Sequence, residues 1–79
     1  MTDYKELLVA LVTKIVDHPE EVTVTEVEGE RAAILELRVN ESDVGKVIGR
    51  EGKIINALRT LVKAAAGRES KRITIELLS

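Results

Sequence analysis

The stretch Val47-Ile48-Gly49-Arg50-Glu51-Gly52-Lys53-Ile54-Ile55 holds the residues best suited to chemistry in this 79-residue chain. Its two glycines stand three apart, so the backbone can turn sharply there without the steric cost of a Cβ. The bare main chain also lets a ligand's backbone come close. Val47 and Ile48 before the turn, and Ile54 and Ile55 after it, anchor two helical segments in a shared core. A helix that begins after Gly52 presents unpaired amides and the positive end of its dipole to the turn. Lys46, Arg50 and Lys53 surround that point with positive charge. The ligand that suits such a corner is a phosphate. Glu51 works against it, because a carboxylate aimed at a phosphate weakens the grip. Without a ligand, the two glycines read simply as a tight interhelical turn.

Other site chemistry is missing from the sequence. There is no cysteine, which excludes disulfides and thiol chemistry. Gly45, Gly49 and Gly52 do not make GxGxxG, and no GxxxxGK followed by Ser or Thr occurs. His18 is the one histidine and has no second metal ligand nearby in sequence, so it reads as a helix-end residue. No Ser/His/acid set exists. The expectation is a protein that is not an enzyme and needs no cofactor or metal.

The elements that must position the turn follow from periodicity. Thr2 or Asp3 can cap a first helix, with Asp3 and Glu6 at capping-box spacing. Tyr4, Leu7, Leu8, Leu11, Val12, Ile15 and Val16 recur at helical steps, and His18-Pro19 ends the run. Val22 to Thr25 reads as a strand whose alternation slips at Glu26-Val27, the mark of a bulge. Glu28-Gly29-Glu30 is a hairpin turn, with Gly29 able to take positive φ. The next strand puts Ala33, Leu35, Leu37 and Val39 on one face, and Ile34, Glu36 and Arg38 on the other. Asn40 to Asp43 supplies turn and cap residues for a short helix ending at Ile48. Ile54, Ile55, Leu58, Leu61, Val62 and Ala65 make a second amphipathic helix after the turn, ended by Gly67. Arg72 to Leu77 forms a last strand that buries Ile73, Ile75 and Leu77. The order is α-β-β-α-α-β, an α+β fold with a three-stranded sheet covered on one face by helices.

Composition bounds the rest. Hydrophobic residues make up 44% and charged residues 33%, which fits one folded domain over residues 1–79. No apolar run approaches membrane-spanning length and the start is not a signal peptide, so no membrane is expected and the location is cytoplasmic. The net charge of −2 conceals an asymmetry. Residues 1–44 carry four basic and eleven acidic side chains, whereas residues 45–79 carry eight basic and three acidic. The positive half is the half that holds the turn. Lys63, Arg68, Lys71 and Arg72 read as a solvated face within it. Tyr4 is the sole aromatic residue, which argues against modules that stack bases on aromatic platforms.

The Ile48-Gly49-Arg50-Glu51-Gly52 loop between two helices resembles the signature of the KH family, and the element order is similar to its type II, bacterial form. The run from Asp43 to Gly52, the leading helix and the short length resemble the small stand-alone bacterial KH proteins of the KhpA type. With a capped start and a strand at the end, the chain reads as a complete copy. The resemblance implies a protein that binds single-stranded RNA and acts as an RNA chaperone or post-transcriptional regulator. Gly49 to Gly52, helped by Lys46, Arg50 and Lys53, would grip the backbone of about four nucleotides. Val47, Ile48 and Ile55 would supply the apolar positions of a groove. The strand ending at Arg38 and Val39 would wall it, with Arg59 two helical turns beyond the loop. It also implies a homodimer, or a heterodimer with a larger KH protein of the KhpB type. The rival reading, carried by the acidic first half, the low pI and Glu51, is a protein-interaction module of the same fold with little direct RNA binding.

Overall fold

In the computed structural model, which describes residues 3–67 and 72–78, the chain runs through α1 (Asp3–Ile15), β1 (Thr23–Glu28), β2 (Ala32–Arg38), α2 (Val44–Ile48), α3 (Lys53–Ala65) and β3 (Arg72–Leu78). Single 3-10 turns occupy Pro19–Glu21, Glu41–Asp43 and Arg50–Gly52. The order and the α+β layering are those expected. The cap expected at Thr2 or Asp3 rests on groups outside the described residues, as do Arg68 and Lys71.

The sheet order is β1-β2-β3, with β1 antiparallel and β3 parallel to the central β2. Strand alternation then sorts the side chains. Val24, Ala33, Leu35, Leu37, Ile73 and Ile75 all face the helices and are buried. Tyr4, Leu8, Val12 and Val16 meet them from α1 and the residue after it, and Ile55, Leu58, Val62 and Ala66 meet them from α3 and its end. α1 lies over β1, α3 lies over β3, and the two helices pack on each other. Leu8, Val12, Leu35, Leu37, Val47 and Val62 are completely enclosed. Each contributes about 1.5–3 kcal/mol by leaving water.

Three expectations about these elements need correction or refinement. The inward stripe of α3 is Ile55, Leu58, Val62 and Ala66, so Leu61 and Ala65 turn outward, Leu61 being 49% exposed. Positive φ occurs at Gly49, Glu51 and Gly52 among the described residues, and not at Gly29. A Cβ at Gly29 would sit 3.2 Å from the Ala32 carbonyl oxygen, so closeness rather than handedness favours glycine in that hairpin.

The third concerns the bulge. β1 and β2 pair without interruption from Thr23↔Arg38 to Glu28↔Ala33. The alternation of polarity breaks while the geometry continues, and the cause is Tyr4. Its ring is 2% exposed, and its hydroxyl donates to Glu26 Oε2 at 2.9 Å. An inward-facing carboxylate is tolerated at that position because it has this partner. Tyr4→Phe should therefore destabilise the fold by about 1 kcal/mol, read as a fall in Tm of about 4–8 °C. A bulged strand that turned Glu26 to solvent would leave the melting temperature unmoved.

Candidate nucleic-acid interface

Parallel strands cannot be joined by a hairpin, so the chain must cross the sheet between β2 and β3. α2, the Gly49–Gly52 loop and α3 make that crossing, and the loop is its corner. α2 has only five residues, and its last turn closes with Gly49 N–H donating to the Gly45 carbonyl at 2.9 Å. The corner is then bent by three left-handed residues within four: Gly49 at φ 76, Glu51 at φ 57 and Gly52 at φ 76. Gly49 is required twice over. Its φ disfavours side chains, and a Cβ there would meet Ile54 Cγ1 at 2.6 Å. At Gly52 a Cβ would have room, with Asn56 Nδ2 at 3.5 Å, so only its φ selects glycine. Glu51 adopts left-handed geometry without that excuse, at a cost of about 1 kcal/mol.

No side chain caps the start of α3. The Gly52 and Lys53 amides close the 3-10 turn on the Gly49 and Arg50 carbonyls, so what α3 offers the corner is the positive end of its dipole. Arg50 and Lys53 are exposed beside them and make no ion pair among the described residues. Ile48 offers apolar surface at 39% exposure. Ile48, Arg50, Glu51 and Lys53 thus share one corner with the two glycines.

The other expected site residues are placed differently. Val47 and Ile55 point into the core at 0% and 7% exposure, so of the two groove isoleucines only Ile48 presents a surface. Arg38 lies on the sheet face opposite the helices, because it alternates with the inward Leu37 and Val39. β2 is the central strand, and the strand running beside α3 is β3. The wall expected at Arg38 and Val39 is corrected accordingly. Arg59 reaches across to that strand, donating to the Ile75 carbonyl at 3.4 Å and to Asn56 Oδ1 at 3.2 Å. Lys46 is turned away from the loop. Its ammonium is paired with the Asp17 carboxylate and stands 3.7 Å from Asp43 Oδ1.

That pairing belongs to a junction the sequence reading missed. Asp43, expected as a helix cap, makes no capping bond and is 0% exposed. Asn40 does the local capping instead, accepting from Ser42 N–H at 2.8 Å. Asp43 Oδ2 accepts from the backbone N–H of His18 and from His18 Nδ1, each at 3.0 Å. Its other oxygen, Oδ1, has no hydrogen-bond partner. The hydrogen bond to Asp43 lifts the His18 imidazole above its ordinary range, and the charges of Asp43, Glu21 and Glu20 add to it against a smaller burial effect. Burial alone would push the Asp43 carboxyl up. Hydrogen bonds from the His18 side chain and from the Asp17 and His18 amides outweigh that and hold it low. The spacing of Asp43 and Lys46, three residues apart, was a readable hint. His18 and Asp43 are 25 residues apart, so only the fold joins them.

The signs of these shifts fix a pH response. A raised His18 value means its contribution is full below the ordinary 6.5 and fades as pH rises through the raised value. A lowered Asp43 value means its contribution is full above the ordinary 3.8 and fades as pH falls through the lowered one. The Tm difference between wild type and His18→Ala should therefore be greatest between about pH 4 and 6.5 and shrink at higher pH. A difference that grows toward pH 9 would contradict the pairing. For the corner itself, Gly49→Ala should cost about 2–3 kcal/mol and Gly52→Ala about 1 kcal/mol in chemical denaturation. The difference between them is the contact with Ile54.

The family model of the KhpA/KhpB KH domain matches residues 5–77, which takes in the whole crossing and most of α1 and β3. The chain is similar to RNA-binding protein KhpA of Clostridium acetobutylicum, at 50% identity over 94% of this chain and 99% of the relative. It is similar to the KhpA proteins of Borreliella burgdorferi, at 48% over 92% and 89%, and of Aquifex aeolicus, at 40% over 99% of both. No solved structure matches it. On the family match and these near-full-length relatives, the chain belongs to the KhpA/KhpB family of KH domains.

Proposed function

We propose that residues 1–79 form one KH domain that binds single-stranded RNA by its backbone. The observation that carries this reading is the corner: three left-handed residues between Gly49 and Gly52, the start of α3 with no side-chain cap, and the cations Arg50 and Lys53, which make no ion pair among the described residues. The dipole supplies a sequence-independent seat for phosphate, and Arg50 and Lys53 add charge to it. Ile48 is the apolar surface beside it on which a base can rest. The relatives' name, RNA-binding protein, supports the same ligand.

In this reading the chain is not an enzyme. It works as an RNA chaperone or post-transcriptional regulator in the cytoplasm. It pairs with a second copy or with a larger KH protein of the KhpB type, and two sites acting together offset the weakness of one. The exposed Leu61, on the outer side of α3, supports such pairing. No helix among the described residues is long and apolar enough to cross a membrane.

With Lys46 held by Asp17, two free cations remain. The slope of log K against log salt for a single-stranded RNA should then be about −1.4, shallower than the value of about −2.1 expected if Lys46 also counts. Titration of a labelled oligoribonucleotide with wild type and with a folded Arg50→Asp/Glu51→Asp variant tests the reading. The variant should lose at least ten-fold in affinity, and equal binding by the two would favour the interaction-module alternative instead. Glu51→Asn should tighten RNA binding and leave the melting temperature the same or higher, since asparagine accepts left-handed geometry.

A further inference from the structure

Lys46 lies three residues before Gly49 on α2, one helical turn of about 5.4 Å from the corner. A lysine arm spans that distance easily. Yet the ammonium is engaged on the other side, by a carboxylate from a different element. Asp17 follows α1 directly and is 66% exposed, and Lys46 is 46% exposed. Neither side chain is buried by the contact, and hydrophobic packing does not hold them together. What brings them together is Asp43. That carboxylate is completely enclosed and is fastened to the residue after Asp17, through hydrogen bonds from the His18 amide and the His18 ring. The segment after α1 is thereby pinned against the start of α2, and Asp17 is set within reach of Lys46.

The three carboxyl and ammonium groups divide into a fixed part and an exchangeable part. Asp43 is fixed, and its unpartnered Oδ1 lies 3.7 Å from Lys46 Nζ. Asp17 is exchangeable: it is exposed, and its one ion pair among the described residues is with Lys46. An ammonium has three donors. It can keep the attraction of Asp43 while it trades Asp17 for another anionic oxygen at the same surface. A phosphate running off the Gly49–Gly52 corner offers such an oxygen.

We infer that Asp17 is an internal stand-in for a phosphate oxygen, which occupies Lys46 in the free protein and must be displaced before Lys46 can join the RNA site. The inference rests on the RNA-binding reading above. Asp17 is then an affinity-setting residue outside the loop, contributed by the segment that follows the chain's first helix. It makes Lys46 a conditional cation, recruited only by a strand long enough to run from the corner to the α1–α2 junction. It is also the source of the shallow salt dependence predicted above. While Asp17 holds Lys46, only Arg50 and Lys53 neutralise phosphates, and counterions are released for those two contacts alone.

The test is RNA titration over a range of salt with wild type, Asp17→Asn, Lys46→Gln, the double variant and Glu20→Gln. Glu20 is exposed, lies three residues from Asp17 and makes no ion pair with Lys46, so its neutralisation changes net charge equally. An exposed ion pair is a weak tie, and Asp17→Asn should tighten binding by about two- to five-fold. Its salt slope should steepen by about 0.7, one single-strand phosphate contact. Glu20→Gln should keep the wild-type slope, and Lys46→Gln should abolish the gain from Asp17→Asn. The inference is overturned if Asp17→Asn binds as wild type does, if its gain survives in Lys46→Gln, or if Glu20→Gln reproduces it. Failure of every form to bind would overturn the RNA reading as well, whereas wild-type binding without a gain would overturn this inference alone.

Discussion

The parallel pairing of β2 with β3 obliges the chain to leave the sheet at one end of β2 and return at the opposite end to begin β3. The proposed phosphate-binding corner lies on that return. The crossing must run over the face that Leu35, Leu37, Ile73 and Ile75 leave apolar, so it has to present apolar stripes of its own. Val47 provides one from α2, and Ile55, Leu58 and Val62 provide one from α3. Two helices that share one core within so short a crossing must reverse direction abruptly. The left-handed residues at Gly49, Glu51 and Gly52 accomplish that reversal. The phosphate seat is thus a by-product of packing. Pointing both helices into one core leaves the positive end of the α3 dipole at the corner, with no side-chain cap over it.

Much of this was legible in the sequence because most of it is local. Helical periods, strand alternation and the two glycines depend on neighbours a few residues away, and they gave the elements and the loop. The failures are all non-local. Glu26 broke the polar alternation, and the partner that makes it acceptable is Tyr4, twenty-two residues earlier. Arg38 seemed to border the site until strand order placed β2 in the centre of the sheet. Lys46 counted as a loop cation because its spacing to Gly49 is visible, while its partner Asp17 is twenty-nine residues away. For Glu26 and Lys46 the fold had given a polar side chain an intramolecular partner that local sequence does not show, and for Arg38 the strand order decided the face. Periodicity locates apolar surfaces well, since burial averages over many contacts. A polar pairing depends on two particular residues meeting.

Asp43 shows what such a pairing requires. An enclosed carboxylate costs several kcal/mol in lost hydration unless donors replace the water. Here the donors are backbone and side-chain groups of His18 at the far end of α1. The junction can form only when α1 is docked, so the start of α2, and with it the loop, acquires its position from the chain's first helix. That makes α1 more than a lid over β1. The cost of burying Asp43 is offset only in the one arrangement that also aligns the crossing, which is how a buried polar group adds specificity to a small core.

The charge pattern then has a consistent meaning. The whole chain is acidic, and the loop half is basic, but the corner itself is nearly balanced. Lys46, Arg50 and Lys53 face Asp17 and Glu51, a local excess of a single positive charge. Strong long-range steering of a polyanion is not available to such a site. What remains is short-range: the α3 dipole and two free cations, all of which act on a phosphate only once it is seated. A corner of this kind holds the backbone of many strands loosely. It discriminates by whether a strand is flexible enough to fit the bend and long enough to compete for Lys46. In the proposed function, the acids at positions 17 and 51 each lower the grip of a single corner toward the range in which a second corner decides whether the strand stays bound.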